Sequence, residues 1–350
     1  MRKLSRLPVG GLLAGGAVVL ALAAFLVWVL PSPDYLYLPN RAQQLDPRVK
    51  VEGGHTATGP GGIYYLDVTV RRASWLERLV AVARPDGASL VPGSQVVPSG
   101  SSFDEEHRQE LAAMDRSEQI AAAVALRKAG LDVKTTLTGV LVELIAPDAP
   151  AARVLEPGDL IVSVNGTPVL HAAQLHAQIA RHRPGDVISL GVRRGNTSRT
   201  VAVRTVPDPG DPRLPIIGIR IAQGATIKLP RNVQIDLGGV GRPSAGLPFA
   251  LDVLEQLGHN VDHGLRVAAT GELDLDGSVR PIGGVKQKTF GARKAGIDVL
   301  LMPAGENAAE ARRYAGRLRV IPVESFQQAL RALATFAASP SGRSIAAASK

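Results

Sequence analysis

Apolar positions change rhythm three times along this chain. From Val9 to Leu30 they run without a single charged residue. At 1.5 Å rise per residue, about 22 residues cross a hydrocarbon core of roughly 30 Å, so the pattern predicts a transmembrane helix over 9–30. A cleaved signal peptide would carry a shorter apolar stretch of about 7–15 residues. ALAA at 21–24 imitates a cleavage site, yet the apolar run continues past it. Residues 31–60 are rich in Pro, Gly and polar side chains and read as a juxtamembrane segment. IYYLDVTV at 63–70 is β-branched and aromatic and predicts a strand. Trp75 to Val82 reads as a short helix, 91–102 as a loop, and 103–130 as a helix with acidic residues near its start and Lys-Ala-Gly at its end.

Residues 131–205 switch to short alternating runs. They predict two strands, a helical turn, an Asn165-Gly166 hairpin turn, a helix with Leu175 and Ile179 on one face, and two strands around RRGN. VPDPGDPRLP at 206–215 reads as a linker. A second α/β unit follows, with strands at IIGIRIA, VQIDL, LRVAAT, DVLLMPA and RVIPV. Its helices start near Gly246, Val285, Asn307 and Ser325, and it ends near Phe336. The expected fold class is therefore a multidomain α/β (α+β) protein. The expected division is 1–8 cytoplasmic, 9–30 transmembrane, 31–124 membrane-proximal, 125–205 β-rich, 206–215 linker, 216–336 α/β and 337–350 a small, polar, disordered tail.

Charge adds orientation. Arg2, Lys3 and Arg6 precede the apolar run and should stay in the cytoplasm, which places residues 31–350 outside a cell membrane. Trp28, Tyr35 and Tyr37 are expected as interfacial anchors. The formal net charge is +9, but the arginines are scattered. No basic helix or stacking-aromatic motif points to nucleic acid. The chain has no cysteine, which excludes disulfides, thiolate catalysis and Cys-ligated metal. The two histidines of GHNVDHG lack the Glu of H-E-x-x-H, and His107, His171, His176 and His182 have no metal-site spacing, so no metal or cofactor is expected.

The run Glu156-Pro157-Gly158-Asp159-Leu160-Ile161, with Gly139-Val140-Leu141-Val142 before it and Val164-Asn165-Gly166 after it, resembles a bacterial PDZ domain. Such a domain binds an extended peptide as an added strand. The resemblance implies that a peptide C-terminus meets backbone N–H groups near Gly139, Val140 and Leu141, with a side-chain pocket lined by Val140, Leu175 and Ile179.

In GRPSAGLPFALDVL at 241–254, a serine stands at the mouth of an apolar helix. A turn with a helix cap explains it, and so does a nucleophile held at the positive end of a helix dipole. Downstream, RVAATGELDLDGSVRPIGGVKQK ends a strand at Thr270-Gly271-Glu272, turns at Asp276-Gly277 and enters a helix through Pro281 to Gly284. Lys286 and Lys288 fall in its first turn, where the dipole disfavours cations. Together, Pro243-Ser244-Ala245-Gly246, Thr270-Gly271-Glu272 and Pro281-Ile282-Gly283-Gly284 followed by Lys288 resemble the proteolytic domain of Lon-type serine proteases. With the predicted anchor and the PDZ-like segment, the whole chain resembles the membrane-anchored PDZ/Lon-like proteases.

That resemblance implies a Ser244–Lys288 dyad, with Lys288 rather than Lys286 as base, Thr270 orienting the lysine and the Ala245 backbone as oxyanion donor. A free lysine has a pKa of about 10.4, and burial lowers it by up to several units, so Lys288 is expected to be desolvated. No G-x-x-x-x-G-K-[ST] occurs in the sequence, which suits an ATP-independent endopeptidase acting on unfolded or extracytoplasmic proteins. A homo-oligomer is implied by the family. Arg242 replaces the family's usual Gly, and Pro248 sits early in the following helix. These two departures leave open an inert membrane scaffold whose PDZ domain binds partner C-termini.

Overall fold

The computed structural model describes residues 25–55, 61–96, 103–236 and 243–339, with isolated positions between 18 and 22. Its N-terminal half contains strands β1 (Pro31–Pro39), β2 (Gly62–Tyr65), β3 (Val68–Ser74) and β4 (Ser89–Val91), helix α1 (Phe103–Lys128), strands β5 (Lys134–Ile145) and β6 (Leu160–Val164), and helix α2 (Ala172–Ile179). Then come strands β7 (Val187–Arg194), β8 (Thr197–Arg204) and β9 (Ile219–Lys228), helix α3 (Gly246–Gln256), and strands β10 (Arg266–Ala269), β11 (Glu272–Leu273) and β12 (Val279–Arg280). Helix α4 (Val285–Ala295), strand β13 (Val299–Pro303), helix α5 (Glu306–Ala315), strand β14 (Arg319–Val323) and helix α6 (Phe326–Ala338) follow, with several shorter elements between.

Strand β13, VLLMP, is buried at every position. A continuous apolar run suits a parallel strand covered on both faces. It lies between β10 and β14 in a sheet ordered Gln43–Gln44, β2, β10, β13, β14, whose last four strands are parallel. Alternate residues then serve opposite layers. Val267, Ala269, Val299 and Leu301 pack with α1, α3 and α6, whereas Ala268, Leu300 and Met302 pack with α4 and α5.

Three expectations change here. IYYLDVTV does not form one strand: it breaks after Tyr65 into β2 and β3, which join different sheets. The 31–124 stretch is not a separate membrane-proximal region either. β2 pairs with β10 inside the α/β sheet, and Met114, Ile120, Ala121, Val124 and Ala125 of α1 share one core with α3. Third, IIGIRIA does not open the second α/β unit. Its strand β9 pairs antiparallel with β5 and forms the edge of the PDZ-like sheet β8-β7-β6-β5-β9. Ile217, almost fully buried, joins Val140, Ile161, Leu175 and Ile188 in that core. The 206–215 segment is therefore a return within this domain, with Val206–Pro207 paired to Pro215–Ile216.

A third sheet, β3-β1-β4, is antiparallel and leans on α4. It buries Tyr35, whose ring lies 5.9 Å from the Arg72 guanidinium, and half-buries Tyr37. Trp28 is exposed. Positions 25–29 are helical, and most of 9–24 lies outside the described residues. Among the described residues no helix is long and apolar enough to cross a membrane. The expected tail beyond 339 also lies outside them; α6 itself runs on to Ala338, past the expected end at Phe336.

Candidate active site

Ser244 lies in a 3₁₀ turn, Pro243–Ala245, that leads directly into α3 with Ala245 as N-cap. Backbone bonds clamp this turn to the end of β10. The Gly271 N–H donates to Ser244 O at 2.8 Å, and the Leu247 N–H donates to Gly271 O at 3.0 Å. A side chain at Gly246 would put its Cβ 3.0 Å from both the Leu273 nitrogen and Ser117 Oγ, so glycine allows α1 and β11 to close on the turn. Pro248 is the third residue of α3, in the first turn, where an N–H has no intrahelical acceptor. Proline therefore removes no helical hydrogen bond there. Arg242 lies outside the described residues.

Lys288 enters from the other layer. Gly284, in the left-handed region with φ 70°, is the N-cap of α4, and the Lys288 N–H donates back to its carbonyl at 2.9 Å. The lysine side chain is only 3% exposed. Its Nζ donates to Ser244 Oγ at 2.7 Å and to Thr270 Oγ1 at 3.0 Å. Thr270, fully buried, donates its own hydroxyl proton to Ser244 O at 3.1 Å. Its side chain thus touches both partners of the pair. Lys286 points elsewhere, because two residues rotate a helix by roughly 200°. Its Nζ donates to Ala88 O at 2.9 Å and lies 5.7 Å from the Tyr314 ring centre. The structure therefore brings Ser244, Thr270 and Lys288 together and leaves Lys286 out.

Glu272 follows the same strand end but turns away, to Arg280 on β12. Arg280 also meets Asp274 at 3.3 Å, Glu143 of β5 at 3.1 Å and the Ile221 carbonyl of β9 at 3.3 Å. Burial pushes the Glu272 and Asp274 carboxyls up, and Arg280 opposes that shift in both. Sequence reading missed this junction. Arg280 stands beside the Pro281-Ile282-Gly283-Gly284 motif, but nothing in the sequence indicates its partner Glu143. Also missed was Asp252, in the middle of α3 and 2% exposed. It accepts from Gln256 Nε2 at 2.9 Å, and burial pushes its carboxyl up to about 8, with Asp46, Glu255 and Asp262 adding to the shift.

The peptide site expected at Gly139 to Leu141 is corrected by the strand order. β5 has neighbours on both sides there: β6 pairs through Val140 and Leu141, and β9 pairs along the whole strand. No edge of that segment is left for a peptide to extend. Val140, Leu175 and Ile179 are buried together in the domain core. The edge strand on this side is β9, which packs near α2; Gln223 of β9 donates to the Leu170 carbonyl just before that helix at 2.6 Å. The expected histidines are dispersed, with His182 beside Asn165 and Asp186. Among the described residues, no group of three or more His, Cys, Asp or Glu is placed to hold a metal ion.

Residues 117–205 match the PDZ domain family, and residues 233–335 match the C-terminal proteolytic domain of Lon protease (S16). Lon protease 2 of Herpetosiphon aurantiacus is 42% identical over 80 residues, which cover 22% of this chain and 9% of that protein. The Lon protease of Mesomycoplasma hyopneumoniae is 38% identical over 103 residues, covering 28% of this chain and 12% of the relative. Lon protease 2 of Bacillus subtilis is 33% identical over 104 residues, covering 30% and 18%. The matched part is thus a small share of each curated relative. Among solved structures, the PDZ domain of an SdrC-like protein from Listeria monocytogenes is 28% identical, covers 25% of this chain and 92% of its own, and has a TM-score of 0.24. The α/β domain that holds Ser244 and Lys288 is a serine peptidase domain. The chain carries a PDZ domain followed by a Lon-type proteolytic domain.

Proposed function

We propose that this chain is an ATP-independent serine endopeptidase, anchored in a membrane by residues 9–30, which cleaves unfolded or extracytoplasmic proteins with a Ser244–Lys288 dyad. The 2.7 Å contact between Lys288 Nζ and Ser244 Oγ carries this reading. A lysine accepts a proton only when neutral, and removal of Nζ from water disfavours its ammonium form. Ser244 Oγ attacks the peptide carbonyl carbon while Lys288 takes the hydroxyl proton, then passes it to the leaving amine nitrogen. The backbone N–H groups at Ser244 and Ala245 face the developing oxyanion, a role worth roughly 2.7–4 kcal/mol per donor in proteases. Water then attacks the acyl-enzyme, with Lys288 again as base. Thr270 holds Nζ in line. The PDZ domain recruits peptide segments or gates access to the site, through the free edge of β9.

The test is cleavage of an unfolded protein by the full chain in detergent, without ATP, beside Ser244→Ala, Lys288→Ala and Lys286→Ala. The reading expects turnover by the unmodified chain and by Lys286→Ala only. Equal behaviour of all four proteins would overturn it and favour a non-catalytic scaffold.

A further inference from the structure

The segment after β3 exposes apolar side chains to an unusual degree. In Trp75–Leu79 and the 3₁₀ turn Ala81–Ala83 that follows, Leu79 is 70% and Val82 91% exposed, and Trp75 and Val80 are also exposed. This surface has a defined neighbour. The Trp75 N–H donates to Leu30 O at 3.2 Å, so the exposed turn starts where the apolar run 9–30 ends. Phe25, Leu26, Trp28, Val29 and Leu30 on that side are exposed too. Charge surrounds the patch: residues 68–84 hold Arg71, Arg72, Arg78 and Arg84, of which Arg71 pairs with Glu77 at 2.6 Å and Arg78 with Asp34 of β1 at 3.0 Å, so that four cations face two acids. The Arg78 guanidinium lies 5.0 Å from the Trp75 ring centre, and Arg84 is held against the Glu77 and Arg78 carbonyls.

We infer that Trp75–Val82 is a second membrane contact, seated in the interface of an anionic bilayer beside the exit of the 9–30 segment. The inference rests on the membrane-anchor reading above and deepens it. Apolar side chains rimmed by arginine, with an aromatic at the junction, match the acyl-chain boundary below and anionic headgroups around it. A surface apolar patch of this kind on a soluble face would ordinarily mark an interaction site. Continuity with an apolar run long enough to span selects lipid over a second protein. The contact would also fix the peptidase relative to the membrane, because the sheet that bears it grips the lysine helix. The carbonyls of Ala88 and Gly87 accept from Lys286 Nζ and from Gln287 Nε2, and Ser89 Oγ accepts from Gln287.

The chain has two tryptophans, Trp28 and Trp75, which makes the test direct. The full chain is reconstituted into phosphatidylcholine/phosphatidylglycerol vesicles with brominated acyl chains, as Trp28→Phe and as Trp75→Phe. The inference expects Trp75, alone in Trp28→Phe, to lose emission to the brominated lipid and to shift to the blue. It also expects Leu79→Ser with Val82→Ser in that background to restore emission. Quenching of Trp28 but not of Trp75 would overturn the second contact and leave the anchor standing. If neither is quenched, the anchor reading fails and the second contact fails with it.

Discussion

Arg280 reaches 3.1 Å across the seam between the peptidase hairpin and the PDZ sheet to Glu143. The same guanidinium holds Glu272 and Asp274, so one cation ties three partly buried carboxylates from two domains. Removing one partner of a buried ion pair typically costs about 3–5 kcal/mol, and less where water reaches the pair, as it does here. Arg280→Ala should therefore lower stability by about 2–3 kcal/mol and reduce turnover, because Glu272 follows directly on the strand end beside Ser244. Glu143→Gln should cost less, since two acids remain. A double-mutant cycle on thermal unfolding should return a coupling of about 1 kcal/mol. A coupling of zero would mean that the domains do not communicate through this pair.

Thr270→Val keeps the shape of the side chain and removes its hydroxyl. Lys288 then loses its 3.0 Å contact to the Thr270 hydroxyl. Hydrogen bonds to charged groups contribute about 1.5–3 kcal/mol, so kcat should drop roughly 10- to 100-fold with little change in KM. Thr270→Ser should recover most of the activity. Steady-state kinetics on a quenched peptide separates the two parameters, and a loss confined to KM would remove Thr270 from the lysine-orienting role.

Lys288→Met should abolish cleavage without lowering the melting temperature. Burying a polar amine costs free energy that an apolar chain of similar length avoids. Active sites commonly trade stability for function in this way. A melting temperature several degrees below that of the unmodified chain would contradict this account.

Gly246→Ala sets two effects against each other. Alanine favours a helix by about 1 kcal/mol over glycine. The new Cβ, however, would meet the Leu273 nitrogen and Ser117 Oγ at 3.0 Å, and the first of these is backbone that cannot rotate away. The steric effect should win, displacing the serine turn and cutting activity more than stability. Full activity in the variant would show that α1 and β11 yield at this point.

Asp252 predicts a pH effect on stability. Its folded pKa, about 8, lies above the ordinary 3.8, so the folded chain holds a proton that the unfolded chain has released. Stability from this group is fully present below pH 3.8 and is lost as pH rises through about 8. Asp252→Asn keeps an acceptor for Gln256 but cannot ionise. Its melting temperature should match the unmodified chain in acid and exceed it at pH 8 to 9. Parallel curves across that range would show that Asp252 is ionised in the folded state.

Local chemistry explains why parts of this molecule were legible beforehand. Helices α1, α3 and α4 follow from apolar spacing and end signals, and the parallel strands β10, β13 and β14 from short apolar runs. The serine turn and the lysine helix stood out because Gly246 and Gly284 are the residue type that close approach and left-handed backbone demand. Two errors share one origin. A strand's sequence reports that it is buried, not which edge it joins, and so β9 was expected in the wrong domain and the peptide edge was expected on β5.

What the sequence determines by itself is therefore the inventory: an apolar run of spanning length, a PDZ-like segment, and three short motifs with a serine and a lysine at their ends. Ser244 and Lys288 are 44 residues apart, and only the packing of α3 and α4 on opposite faces of one sheet closes that gap to 2.7 Å. The same holds for Arg280 and Glu143, for Trp75 and Leu30, and for the burial that raises Asp252. Each depends on distance and desolvation between segments far apart in the chain, and those quantities exist only once the core has formed.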